Sequence, residues 1–190
     1  MNLRNSLSAL TLLFIPGLAF AHTGHATTGL LAGLSHPLGG LDHLLAMLAV
    51  GLWAAQQQGQ ARWALPVTFV ASLLFGGLLG FAGTQMPLLE TGIAGSVLAL
   101  GLLVALAARL PLAVALGLTA LFGLSHGVAH GLELPGAASP LTYASGFVAA
   151  TALLHASGYA LAGYLPLATA GLVRLAGAST AGAGLWLLAS

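Results

Sequence analysis

Apolar residues fill most of this chain in blocks of about twenty, and polar or helix-breaking residues gather in short clusters between the blocks. A helix needs roughly 20 apolar residues to cross the hydrocarbon core of a bilayer. Beyond the first 21 residues the clusters mark off six such blocks: residues 30–55, 63–83, 88–108, 111–132, 141–164 and 166–188. The clearest breaks are Gln56–Arg62, Thr84–Glu90 with Pro87, Arg109–Pro111 and Leu134–Pro140. None leaves room for a separate soluble domain. The pattern therefore predicts an all-α fold, a polytopic transmembrane helical bundle of six spans forming one domain over residues 22–190.

The start of the chain reads differently. Arg4 gives a short positive segment, Leu7 to Phe20 is apolar, and Ala19-Phe20-Ala21 has small residues flanking a potential cut. This predicts a secretory signal peptide over residues 1–21, an uncleaved signal anchor being the other reading. Cleavage after Ala21 would expose His22-Thr23-Gly24-His25, where a free α-amine beside an imidazole makes a plausible chelate.

Composition narrows the class. Lys, Arg, Asp and Glu total only seven of 190 residues, and 58% of the chain is hydrophobic. Soluble domains carry roughly 25% charged residues. A cytosolic enzyme, a nucleic-acid-binding protein and a disordered regulator are all excluded, and the lipid bilayer is the expected surrounding. Cysteine is absent, so thiolate metal sites and cysteine nucleophiles are excluded too.

The few charges suggest an orientation. Arg62, Arg109 and Arg174 fall at or near alternate ends of the spans, and Glu90 and Glu133 at the opposite ends. Positive residues favour the cytoplasmic side. Both termini of the processed chain are then expected on the periplasmic side of a bacterial inner membrane. Trp53, Trp63 and Tyr164 would form the inner aromatic belt, and Tyr143 and Trp186 the outer one. Gly76/Gly80 and Gly123/Gly127/Gly131 have the spacing that lets membrane helices approach closely.

Ionisable residues at membrane depth are costly and usually functional. The first group is His36-Pro37-Leu38-Gly39-Gly40-Leu41-Asp42-His43. Proline suits the first helical position and disfavours helix in the residue before it. A regular helix is therefore expected from Pro37 to about Ala55, preceded by a short interfacial or re-entrant piece. His36 would stand at its mouth, with Asp42 and His43 deeper. Met47 shares a face with His43 and reads as packing. The second group is His126, His130 and Glu133, spaced i, i+4 and i+7 on one helix face near the outer end of the fourth span. His155 stands alone in the fifth span, as consistent with a helix–helix hydrogen bond as with a ligand. The tetrapeptide Gly33-Leu34-Ser35-His36 recurs at Gly123–His126, but the two fall at different depths, so it reads as coincidence rather than an internal repeat.

Imidazole and carboxylate without thiolate suit a borderline divalent ion: nickel, cobalt or zinc. His36, Asp42, His43, His126, His130 and Glu133 are the expected metal-handling set, with His22, His25 and His155 as further candidates.

Two stretches resemble the signatures of the HupE/UreJ family: His36-Pro37 through Asp42-His43-Leu44, with Met47, Val50 and Gly51 following, and Ser125-His126-Gly127 through Ala129-His130-Gly131 to Glu133. The resemblance covers essentially the whole processed chain. It implies a membrane accessory protein of hydrogenase or urease systems that acts as a nickel or cobalt permease, with metal-handling roles for the residues of both motifs. The expected function is thus secondary-type transport of a divalent metal ion that supplies metalloenzyme maturation, with no permanently bound cofactor, no nucleic-acid partner and no enzymatic activity. Two other classes fit the same residues. One is a non-transporting metal sensor or scaffold. The other is an intramembrane metal-dependent hydrolase, although Gly127 stands where the His-Glu-x-x-His motif has its acid.

Overall fold

The computed structural model describes residues 29–134, 139–164 and 170–190. The expected leader, with His22 and His25, lies outside the described residues. Seven helices make up the described fold: α1 (Leu30–Gly39), α2 (Leu41–Gln56), α3 (Ala61–Phe81), α4 (Leu89–Ala105), α5 (Leu112–Leu132), α6 (Pro140–Gly163) and α7 (Ala170–Ala189). The fold is all-α, as its apolar blocks require. Helices α3, α5, α6 and α7 are each long and apolar enough to cross a membrane. A fifth candidate is the pair α1 and α2, which meets the same test only when taken together and is bent by 88°. Helix α4 is apolar but has 17 residues, about 25 Å of helix against a hydrocarbon core of about 30 Å.

The first block differs most from expectation. Its helix does not start at Pro37. Proline lies inside α1, and the chain breaks three residues later at Gly40, whose backbone is extended (φ −101°, ψ 123°). The Gly40 carbonyl then accepts the Leu44 N–H at 3.0 Å and opens α2.

Packing follows the small residues. A Cβ on Gly76 would meet the Leu124 carbonyl, and one on Gly127 would meet the Leu73 carbonyl, so α3 and α5 lie backbone against backbone. Helices α4 and α7 pair in the same way through Gly101, Gly177 and Gly184. Helix α6 holds both arms of the bent pair: Gly146 lies on Leu30 of α1, and Gly158 on Leu48 of α2. In lipid no hydrophobic force drives helices together, so this close approach supplies much of the cohesion. The outward surface carries Leu31, Val67, Phe75, Leu78, Leu153 and Leu185, all exposed, as suits a surface facing acyl chains.

The arginine end of the bundle is tied by side chains. Helix α4 ends with free carbonyls, which need donors. Ala108 O accepts Trp53 Nε1–H at 2.9 Å and Gln57 Nε2–H at 3.0 Å. Val104 O accepts from Gln56 at 3.0 Å, and Ala105 O from Arg174 Nε at 2.7 Å. Trp53 is therefore a fully buried cap and not a belt residue. Tyr143 is also buried, against His36, and leaves the expected outer belt. Trp63, Tyr164 and Trp186 stay exposed.

A single methyl group tests this packing. Gly76→Ala is expected to destabilise the bundle by about 1–3 kcal/mol, the usual cost of overpacking. Gly117→Ala, where a Cβ meets nothing within 4 Å, is expected to be neutral or slightly stabilising. Thermal unfolding of the two purified variants in detergent checks the contrast, and equal melting temperatures would contradict it.

Candidate metal site

The 88° bend aims two helix ends at α5. His36 lies near the end of α1, and Asp42 and His43 lie in the first turn of α2. His126, His130 and Glu133 come from the last two turns of α5 and its cap. Both motifs therefore converge, and their residues interleave. His36 Nε2 is 3.0 Å from Glu133 Oε2. The His36 and His130 rings have centroids 4.7 Å apart, His130 and His43 4.2 Å, and His43 and His126 4.8 Å. The order along this run is Glu133, His36, His130, His43, His126. Exposure is concentrated at its first two members, 51% for the Glu133 side chain and 31% for that of His36, and His130, His43 and His126 are all buried.

The sequence reading kept the two groups separate, and the structure interleaves them. The bend at Gly40 slides the His36–His43 arm beside α5. His36 stays at the mouth, where it pairs with Glu133, and His126 becomes the most deeply buried ring. The unequal depths of His36 and His126 also fit the reading of their shared tetrapeptide as coincidence.

One carboxylate oxygen organises the start of α2. Asp42 Oδ1 accepts the His43 backbone N–H at 2.8 Å and lies 2.7 Å from His43 Nδ1. The first bond satisfies one of the four free N–H groups at a helix start, and the acid also suits the positive end of the helix dipole. The second makes Nδ1 the protonated ring nitrogen, because an ionised carboxylate only accepts. In the neutral ring Nε2 then carries the lone pair, and it is buried without a hydrogen-bond partner among the described residues. A carboxylate behind an imidazole is a common way of orienting a metal ligand. Glycine at position 40 makes room for the pair, since a Cβ there would stand 2.7 Å from Asp42 Oδ1 and 3.0 Å from His43 Nδ1.

The other rings are similarly unsatisfied. Both ring nitrogens of His130 and Nδ1 of His126 are buried and have no hydrogen-bond partner among the described residues. His36, His130 and Glu133 can each offer one ligand atom, all within 4.8 Å of one another. Ligand atoms around a tetrahedral ion lie about 3.4 Å apart, so these three could close on an ion by shifts of about an ångström.

His155 stands apart. Phe69 lies between it and the run, its ring centroid 5.9 Å from His126 and 5.2 Å from His155. Neither nitrogen of His155 has a hydrogen-bond partner among the described residues, so the helix–helix bond considered for it is not formed there. Met47 is fully buried, as its packing role predicts, and its sulfur lies 3.4 Å from Thr151 Oγ1.

Three neighbours escaped the sequence reading. Ser96 of α4 bonds His126, Phe69 separates His126 from His155, and Phe147 lies 4.0 Å from the His130 ring. Ser96 alone left a signal, a hydroxyl in the middle of a helix whose other polar residues, Glu90 and Thr91, lie in its first turn.

Comparison with known proteins agrees with these motifs. The family model described as HupE / UreJ protein matches residues 10–187. The protein called HupE in Rhizobium leguminosarum bv. viciae is 45% identical over 183 residues, which covers 95% of this chain and 95% of that protein. No solved structure matches the chain.

The two neighbouring glycines give opposite expectations. Gly40→Ala should weaken cobalt binding by about tenfold or more, as losses around a metal ligand usually do. Gly39→Ala should leave it unchanged, because a Cβ there meets nothing within 4 Å. Visible absorption of Co²⁺ titrated into the purified variants measures both, and an unaltered Gly40→Ala titration would contradict the role given to the Asp42–His43 pair.

Proposed function

This chain belongs to the HupE/UreJ family, and from that premise we propose that it is a permease for a divalent transition metal ion, nickel or else cobalt, serving the maturation of a hydrogenase or urease. One observation carries the reading. Four imidazoles follow one another from a half-exposed mouth to a fully buried ring, with bare nitrogens between them, in a chain that has only seven Lys, Arg, Asp and Glu residues. Buried polar groups are normally hydrogen-bonded. Leaving several unpaired costs stability and suits a passing ion that binds nitrogen.

In this reading six segments cross the bacterial inner membrane: the bent pair α1–α2, then α3 to α7. Both termini of the processed chain face the periplasm, with Arg62, Arg109 and Arg174 at the cytoplasmic end. His22 and His25 gather the ion outside. Glu133 and His36 receive it at the mouth and lose their mutual bond as it arrives. His130 and His43 take it inward, with Asp42 holding the His43 ring. His126 follows, and past Phe69 His155 is the next nitrogen donor. Imidazole suits nickel and cobalt without the grip of a thiolate, which favours release.

The driving force need not be chemical. No Walker motif is present in the chain. A membrane potential is worth about 2.3 kcal/mol per charge per 100 mV, which doubles for a divalent ion moving inward.

Accumulation of trace nickel and cobalt, in cells lacking their own high-affinity uptake, tests the proposal. Cells making the wild-type chain should accumulate metal, and the ratio of the two metals names the cargo. His43→Ala at matched membrane levels should fall to background. Normal uptake by that variant would remove His43 from the path, and no uptake by the wild type would overturn the permease reading.

A further inference from the structure

Ser96 projects from α4 against the deepest ring of the run. It is fully buried, and its Oγ lies 2.8 Å from His126 Nε2 and 2.7 Å from the Ile93 carbonyl. A hydroxyl has one proton to give. If Ser96 gives it to Ile93 O, then His126 must donate Nε2–H to Ser96 Oγ, and both bonds form. If Ser96 instead gives it to His126 Nε2, the bond to Ile93 O is lost and the ring proton sits on Nδ1. That nitrogen is buried with no acceptor among the described residues. A buried N–H without an acceptor costs about 1–3 kcal/mol, so the first arrangement wins.

We infer that Ser96 is a positioning residue for the cargo ion: it holds His126 as the Nε2–H tautomer, so that Nδ1 is the nitrogen presented to the metal. The inference rests on the reading of the imidazole run as a metal path. It also sets His126 apart from its neighbour. Asp42 fixes His43 with Nδ1 protonated and Nε2 bare. Ser96 fixes His126 the other way round. The two adjacent rings thus offer opposite nitrogens. Each has its other nitrogen tied to a different helix position, so neither ring can rotate to offer the wrong one without breaking a bond.

The test reads the tautomer and the metal separately. The full chain, labelled with ¹⁵N-histidine and reconstituted in lipid vesicles, is observed by solid-state NMR, where protonated and bare ring nitrogens resonate in distinct ranges. The His126 signals are identified by their loss in His126→Asn. Wild-type protein without metal should show His126 protonated at Nε2 and bare at Nδ1. Ser96→Ala should raise the share of the Nδ1–H form and weaken Co²⁺ binding about tenfold, the lower end of what such neighbours of a metal ligand contribute. A wild-type ring protonated at Nδ1 would overturn the inference without any variant. So would a Ser96→Ala protein with an unchanged tautomer, or one whose tautomer changes while cobalt binds as before. Failure of the wild type to bind cobalt at all is a different result. It would overturn the metal path itself, and with it the purpose assigned to Ser96.

Discussion

Everything in the site depends on one strut, the grip of α6 on both arms of the bent first pair. Helix α1 touches α6 where Gly33 lies on the Tyr143 carbonyl and Gly146 lies on the Leu30 carbonyl. Helix α2 touches the same helix where Gly51 lies on the His155 carbonyl and Gly158 on the Leu48 carbonyl. At these four places backbone meets backbone with no side chain between. Such contacts tolerate little sliding, because any Cβ or shift in register meets a carbonyl. A break with an extended glycine would otherwise be a hinge. Held at both arms, it becomes a fixed corner, and the corner sets His36 and His43 on either side of His130.

Helix α5 carries the matching half of the arrangement through two faces. Gly123, Gly127 and Gly131 press on α3, while His126 and His130 face the corner. The two stripes lie side by side in sequence because adjacent residues point about 100° apart on a helix. Packing and chemistry therefore use different faces of one helix, and the tight face fixes the depth at which the imidazoles sit. The cohesion gained there offsets the cost of the site. His130 and His155 each keep a ring N–H that finds no acceptor among the described residues, at about 1–3 kcal/mol apiece.

Most helix boundaries were legible because long apolar blocks between polar clusters leave little choice of where a helix can run. The block at residues 111–132 became Leu112–Leu132, and that at 141–164 became Pro140–Gly163. The site was legible because charge is so scarce that any histidine or acid at depth stands out. What sequence could not give was the relation between the two motifs. Proline 37 looked like a helix start, but Gly40 is where a missing side chain has a use, as space for Asp42 and His43. That choice is made by tertiary packing and leaves no mark in local propensity. Trp53 and Tyr143 were misplaced for a similar reason. Position along a span fixes a residue's depth, but only the neighbouring helices decide whether it faces lipid or the core.

The distribution of acid along the imidazole run bears on how an ion could pass. A divalent ion surrounded by carboxylates in a medium of low dielectric is held too firmly to leave. Here the acids sit only where capture or orientation calls for them: Glu133 at the half-exposed mouth, and Asp42 behind His43 rather than facing the path. Between and beyond them the donors are neutral rings spaced 4.2–4.8 Å apart, centroid to centroid. Neighbouring rings at that spacing could share one ion from His36 to His126, so it could gain a new nitrogen before it loses the old one, whereas Phe69 stands between His126 and His155. On the proposed path, charge would attract an ion at the entrance and then be withheld, which leaves the buried part of the run to imidazole nitrogens alone.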